Sequence, residues 1–321
     1  ECLVGSEMCI RDRFDMDVTA DLTILEEANE LIDRIKNKKP LPMFTSCCPG
    51  WVKFAEHNFH SLLPNLSTCK SPQQMFGALL KTYYCEKEGI DPKDLYVVSV
   101  IPCTAKKFEI TRPEMEGDVD AAITTRELGQ MISGAAINFN ALKDEEFDSP
   151  FDVASGAGVI FGATGGVMEA ALRTAANILD GDFKLVDFSE IRGVNGIRTA
   201  AYNVAGIEIK VAAASGLADA RKLCEEVESG NSPYHFIEIM ACPGGCINGG
   251  GQPIQRDATR NTVPIKELRA KALYDEDSAL KLRRSHDSPV IERLYKEYLG
   301  KPNSEKAHHL LHTTYTPRDK Y

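Results

Sequence analysis

Glu238-Ile-Met-Ala-Cys242-Pro-Gly-Gly-Cys246-Ile-Asn-Gly-Gly-Gly-Gln-Pro253 is the stretch that decides how this chain is read. Its sixteen residues include two cysteines, five glycines and two prolines, a composition unsuited to a packed core. Cys242 and Cys246 are four apart, so on a helical turn both thiolates would face one object. Glycines without a Cβ would let backbone N–H groups approach that object closely. The preceding run, 234–240, is apolar enough for a buried strand. Strand, glycine-rich turn and helix start is the place where α/β proteins hold ligands.

Three further cysteines and one lysine mark other strand ends. Leu41 to Cys48 reads as a short strand, turned by Pro49-Gly50 into a helix from Trp51. Adjacent side chains in an extended segment point to opposite faces, so Cys47 and Cys48 give one ligand and one nearby free thiol. Leu95 to Ile101 reads as a buried parallel strand ending in Pro102-Cys103-Thr-Ala-Lys106. Cys69, Cys85 and Cys224 sit alone and read as buried thiols. Zinc usually takes two short cysteine knuckles, and one comparable pair is present. A [4Fe–4S] cube takes thiolates from scattered positions, and Cys48, Cys103, Cys242 and Cys246 supply them with Cys47 left over. A disulfide between Cys47 and one of the ligands stays open at this level.

The remaining chain is ordinary for a globular protein. Its 321 residues suffice for two α/β lobes. A net charge of −10 argues against nucleic acid as a partner. No apolar run reaches the length of a membrane span, and no secretory signal is visible, so a cytoplasmic location is expected. Asp15 to Lys38 is expected to be a helix capped by Thr19 or Asp21, with Leu22, Leu25, Leu31, Ile32 and Ile35 as its apolar stripe. Glu27, Glu30 and Arg34 share one face of it. By periodicity alone this is a solvated face with an ion pair; the alternative is a row of proton-transfer groups. Val159 to Gly166 is expected to be a strand ending in a glycine turn, without the spacing of a dinucleotide or phosphate loop. Residues 199 to 212 read as a hairpin through Ala205-Gly206. Residues 271–321 read as a charged helical tail lying outside, with His308, His309 and His312 on a solvated helix end.

Thr45-Ser-Cys-Cys-Pro-Gly-Trp51, Pro102-Cys103-Thr-Ala-Lys106-Lys-Phe-Glu109 and the 238–253 stretch together resemble the signature of the [FeFe]-hydrogenase catalytic domain, in that family's order. The resemblance runs from about Phe14 to the C-terminus. It implies an H-cluster: a [4Fe–4S] cube joined to a di-iron unit carrying CO, cyanide and an azadithiolate bridge. On the matching positions, Cys48, Cys103, Cys242 and Cys246 would hold the cube, with Cys246 bridging to the di-iron unit. Cys47 would exchange protons with the bridgehead amine, and Lys106 would donate to a cyanide. Met240, Phe161 and Gly162 would wall the pocket, with Gln73 nearby. Glu27, Ser67, Glu30 and Arg34 would carry protons to the surface, which favours the functional reading of the first helix. The implied reaction is reversible reduction of protons to H₂. Implied partners are ferredoxin or electron-transfer iron–sulfur subunits and the maturase proteins of the di-iron unit. The alternative within the resemblance is a non-catalytic relative acting in iron–sulfur assembly or hydrogen sensing.

Two departures accompany the resemblance. Ile101 stands where the family usually has Met, keeping volume without the thioether. Residues 1–13, with Cys2 and Cys9, read as a non-native leader, so the chain is expected to be N-terminally truncated and its activity compromised. The expected fold is α/β: two lobes of twisted, mostly parallel sheet flanked by helices, residues 14–44 with 190–270 and residues 45–189, with the metal cluster in the cleft between them.

Overall fold

The computed structural model describes residues 11–180, 188–204 and 206–319. The long helix α1 (Asp17–Lys36) is followed by strand β1 (Met43–Phe44) and helix α2 (Pro49–Asn58). Helix α3 (Pro72–Leu79) runs through a π turn (Leu80–Tyr84) into a last helical turn (Cys85–Glu88). Strand β2 (Val98–Val100), the short helix α4 (Lys106–Glu109), strand β3 (Ala121–Ile123) and helix α5 (Thr125–Gly134) come next. Helices α6 (Gly156–Val159) and α7 (Gly166–Asp180) precede the hairpin β4 (Gly196–Val204) and β5 (Ile207–Ser215). Helix α8 (Leu217–Glu228) leads into β6 (Phe236–Met240). Helices α9 (Asp257–Thr262), α10 (Ile265–Ala279), α11 (Pro289–Leu294) and α12 (Glu305–Leu311) close the chain.

The strands form a four-stranded sheet in the order β1-β6-β5-β4 and a two-stranded sheet β2-β3. The β1–β6, β5–β6 and β2–β3 pairs are parallel, and the β4–β5 hairpin is antiparallel. The fold is therefore α/β with mixed sheets. Every residue of β6 is buried, as expected of a central strand covered on both faces. Its alternate side chains serve two cores. Phe236 and Met240 pack with Ile24, Leu31, Met43, Val167 and Leu172. Ile237 and Ile239 point the other way, onto Trp51, Val52, Leu66 and Leu223.

Helix α1 lies between cores rather than on one. Ile24 and Leu31 enter the sheet core, while Val18, Leu22 and Leu25 pack on Met75, Phe76, Leu79 and Phe151. Enclosed on both sides, α1 also buries Asp21, Glu26, Glu27, Glu30 and Arg34. Among the described residues no helix is long and apolar enough to cross a membrane.

Several local expectations are corrected. Residues 159–166 form helical turns rather than a strand: α6 runs on into a 3-10 turn (Ile160–Gly162), and a bend at 163–165 leads to α7. A short apolar run does not distinguish the two by periodicity, and here glycine decides. A Cβ on Gly158 would stand 2.6 Å from the Asp17 carbonyl oxygen, so the segment packs against the start of α1 as only glycine permits. β2 is parallel but not buried, with Val98 48% and Val100 43% exposed, because its sheet has one open face. Helix α1 starts at Asp17 without a side-chain cap. Thr19 Oγ instead donates to the Met16 and Pro72 carbonyls, and Asp21 accepts from Ser155 N at 2.7 Å. The C-terminal helices are not outside: Val290, Ile291, Leu294 and Leu311 share a core with α1 and α3. The hairpin is present in register Val204↔Ile207, with Ala205 outside the described residues. Cys2 and Cys9 also lie outside them.

Trp51 is fully buried and its indole N–H donates to the Thr45 carbonyl at 2.9 Å, fastening the segment that carries Cys47 and Cys48. Trp51→Ala is expected to lower stability by about 3–5 kcal/mol, read as a fall in denaturant midpoint at unchanged m-value.

Candidate metal centre and its proton-handling side chains

The 242–251 loop takes its shape from glycines pressed against other segments. Gly244 and Gly245 have φ of +93° and +97°, a region that L side chains avoid. A Cβ on Gly245 would meet the Gly162 carbonyl oxygen at 2.7 Å, and Thr164 N donates to the Gly244 carbonyl at 3.1 Å. The loop thus rests on the turn containing Phe161 and Gly162. Cys242 precedes these glycines and Cys246 opens a 3-10 turn (Cys246–Asn248), so a left-handed glycine turn replaces the expected helical one.

The next glycines bring in the second cysteine segment. A Cβ on Gly249 would be 2.1 Å from the Pro102 carbonyl oxygen, and Gly251 N donates to that same oxygen at 3.1 Å. Cys103 follows directly. The third segment enters by strand pairing: Thr45 N donates to the Ile237 carbonyl at 3.0 Å, and Ala241 N approaches Cys48 Sγ at 3.4 Å. Cys48, Cys103, Cys242 and Cys246 are each partly exposed, and none is in a disulfide. Burial raises the Cys242 thiol to about 11, with Cys48 and Cys103 adding to the rise. Cys246 is raised by burial and then by Cys48, Cys103 and Cys242. Four thiols from three segments therefore share one environment. A bound cation would remove this mutual cost by stabilising the thiolates, so the donor set fits a thiolate-ligated cluster.

Beside them, Cys47 is held in its deprotonation-resistant form by burial and then by nearby Glu27, with Lys106 acting in the opposite direction. Lys106 is buried; its Nζ donates to the Cys47 carbonyl at 3.1 Å and to Glu109 at 2.8 Å. Glu109 also accepts from Ser71 Oγ at 2.9 Å and Gln73 Nε2 at 3.3 Å, and Ser99 Oγ donates to Gln73 Oε1 at 2.7 Å. Met240 is buried at the end of β6. Glu109 closes the second cysteine motif, and its spacing of three from Lys106 on a helix is the sequence signal for that pairing.

The carboxylates of α1 are not a solvated face. Glu27 is 1% exposed, Glu30 9% and Arg34 5%. Burial, followed by Glu30, raises the Glu27 carboxyl to about 8, and its Oε2 has no hydrogen-bond partner among the described residues. The Ser67 hydroxyl interacts with Glu27 and donates to Glu30 Oε2 at 3.1 Å. Glu30 Oε1 pairs with Arg34 at 2.7 Å, and the guanidinium also donates to the carbonyls of Pro40, Pro64 and Leu66. Cys47, Glu27, Ser67, Glu30 and Arg34 thus follow one another through the interior. His312, expected on a solvated helix end, is 9% exposed and bonded to Glu26 and Thr68.

The chain belongs to the family of the iron-only hydrogenases. Residues 5–250 match the family described as the iron only hydrogenase large subunit, C-terminal domain, and residues 263–318 match the iron hydrogenase small subunit. The chain is 48% identical over 307 residues to iron hydrogenase 1 of Clostridium pasteurianum, covering 94% of this chain and 54% of that protein. It is 32% identical to cytosolic iron-sulfur assembly component 3 of Bos taurus, covering 96% of this chain and 66% of that one. A solved variant of the [FeFe]-hydrogenase of Chlamydomonas reinhardtii superposes with a TM-score of 0.84 at 40% identity, covering 99% of this chain and 88% of the other. The chain thus spans about half the length of the Clostridium relative.

Glu27 gives a stability test. Its folded pKa is raised from 4.5 to about 8, so between these values the folded state holds a proton that the unfolded state has released. That contribution is fully present below about pH 4.5 and is lost as pH rises through about 8. Glu27→Gln is expected to lack this share of the decline, so its stability relative to the parent chain should rise between pH 5 and 8 in denaturant titrations. Parallel curves would contradict the buried carboxyl.

Proposed function

We propose that this chain is the catalytic region of an [FeFe]-hydrogenase, carrying out 2H⁺ + 2e⁻ ⇌ H₂ at an H-cluster. The observation that carries this reading is the meeting of Cys48, Cys103, Cys242 and Cys246 next to a fifth thiol, Cys47, that itself lies beside the buried Glu27. When bound, the cluster would relay the electrons and provide the reactive iron. Cys48, Cys103, Cys242 and Cys246 would hold its cube, and Cys246 would also serve the di-iron unit.

The rest is the work of the chain. Cys47 Sγ carries the innermost exchangeable proton, and Glu27, largely protonated at neutral pH, is its donor and acceptor. Ser67 passes the proton between Glu27 and Glu30 by rotating its hydroxyl. Lys106, fixed by Glu109, places a positive charge at the pocket wall that offsets anionic ligands. Met240, Phe161 and Gly162 exclude water, and Gln73, locked by Ser99 and Glu109, presents a fixed amide edge. Electrons arrive from ferredoxin or an iron–sulfur subunit, and the di-iron unit from maturase proteins. The assembly-component relative supports a second reading, a non-catalytic iron–sulfur protein; the buried file from Cys47 to Arg34 favours the enzyme.

Maturation of the chain with a synthetic di-iron complex tests this. Infrared bands of CO and cyanide together with H₂ evolution from a strong reductant are expected. Cys47→Ser and Glu27→Gln are expected to keep the bands and lose H₂ evolution by about 10²-fold or more. Iron–sulfur absorbance without CO and cyanide bands would instead support the assembly reading.

A further inference from the structure

Arg34 closes the outer end of the carboxyl file. It spends its donors on Glu30 and on the carbonyls of Pro40, Pro64 and Leu66, and an arginine does not give up its proton in water. A relay through it therefore needs another titratable group next to Glu30. One is present on the opposite side. Thr68 Oγ lies 3.1 Å from Glu30 Oε2 and 2.7 Å from His312 Nδ1. His312 Nε2 lies 3.1 Å from Oε2 of Glu26, which is fully buried. Glu26 also accepts from Tyr295 OH and from Asn303 N at 2.8 Å.

We propose that His312, acting through Thr68, is a positioning and proton-storing residue for Glu30, and that Glu30–Thr68–His312–Glu26 is a second branch of the proton route. This rests on the hydrogenase reading above and deepens it. A hydroxyl has one proton and two lone pairs, so Thr68 can accept from the ring while donating to Glu30. One proton leaves His312 Nδ1 for Thr68 Oγ as the Thr68 proton passes to Glu30 Oε2. The ring regains a proton at Nε2 from the Glu26 carboxyl. Only O–H and N–H bonds change, and the reverse order carries a proton from Glu30 to Glu26. The ring of His308, on the exposed side of α12, stacks on His312 with centroids 4.0 Å apart and leads to solvent.

The register is built in rather than incidental. Cys69 and His312 form an antiparallel bridge, Lys70 N donates to the Leu311 carbonyl at 2.8 Å, and Thr313 N to the Thr68 carbonyl at 2.7 Å. The segment that matches the small subunit therefore delivers the histidine to the large-subunit proton file. The titratable groups around the ring are Glu26 and Glu30 of α1, Cys69, Tyr295, His308 of α12, and Tyr315, whose hydroxyl donates to the Ser67 carbonyl at 2.6 Å. The donor atoms of Glu30, Cys69 and His312 lie within 4.8 Å of one another, but Glu30 Oε2 and His312 Nδ1 are already joined through Thr68, which favours a proton network over a cation site.

The test has two arms. In the cluster-free chain, nitrogen-15 NMR of the histidines, with His312 assigned by its absence in His312→Gln, gives its titration. Thr68→Val and Glu30→Gln are each expected to move the midpoint by about half a pH unit or more, while Thr68→Ser leaves it in place. An unmoved midpoint in Thr68→Val and Glu30→Gln overturns the proposal whether or not the chain makes H₂. In the matured chain, His312→Leu is expected to slow H₂ evolution about tenfold with a changed pH profile and an unchanged KM for the electron donor, and added imidazole is expected to restore the rate. A rate within twofold of the parent at every pH, or a loss that imidazole does not restore, overturns it as well. Unimpaired H₂ evolution by Glu27→Gln would instead remove the inner route of the hydrogenase reading, leaving the NMR arm to decide the branch.

Discussion

Backbone against backbone, with no side chain between, is the contact on which the centre depends. Gly249 lies so close to the Pro102 carbonyl that any Cβ would overlap it, and Gly245 sits in the same way on Gly162. These approaches bring Cys103 and the 160–164 turn to the loop that carries Cys242 and Cys246. Parallel pairing of β1 with β6 adds Cys48 from the other side. A Cβ at either position would force these segments apart. The glycines are therefore structural in the strict sense: they set the distance between the cysteine-bearing segments.

Around that centre the walls are pinned by buried ions. Lys106 pairs with Glu109, Arg112 with Glu56, and Arg173 with Glu169 and Asp277, all nearly inaccessible. Such pairs gain little net stability after desolvation, yet removing one partner costs roughly 3–5 kcal/mol. They hold geometry. The fully buried Glu238 acts similarly: it accepts from Gly165 N and Met168 N at 2.7 Å each, fastening the start of α7 to β6. In helix α1, Glu27 keeps one buried oxygen without a hydrogen-bond partner among the described residues, a cost to stability that the ion pairs around it do not remove.

What the sequence showed and what it hid divide along one line. The cysteine segments, the glycine loop and the β4–β5 hairpin are local patterns, and their residues could be read directly. The face of Glu27, Glu30 and Arg34 was visible as spacing, but not its burial, because the covering residues come from α3, the 67–70 segment and the C-terminal helices. The pairing of Glu26 with His312 was illegible for the same reason: they are 286 residues apart in the chain. The 159–166 run differs from its strand expectation because three apolar residues between glycines fit strand and helix equally, and only the approach of Asp17 decides. The exposure of Val98 and Val100 depends on the open face of a two-stranded sheet, which no window of sequence contains.

The most direct measurement is anaerobic reconstitution with iron and sulfide, followed by iron and sulfide analysis and Mössbauer spectroscopy. If the four cysteines form one ligand set, about four irons and four sulfides bind per chain with the spectrum of a single cube, and Cys103→Ser loses them. A chain that binds one isolated metal ion, or whose cluster is indifferent to Cys103, would contradict the convergence of the three segments on one centre.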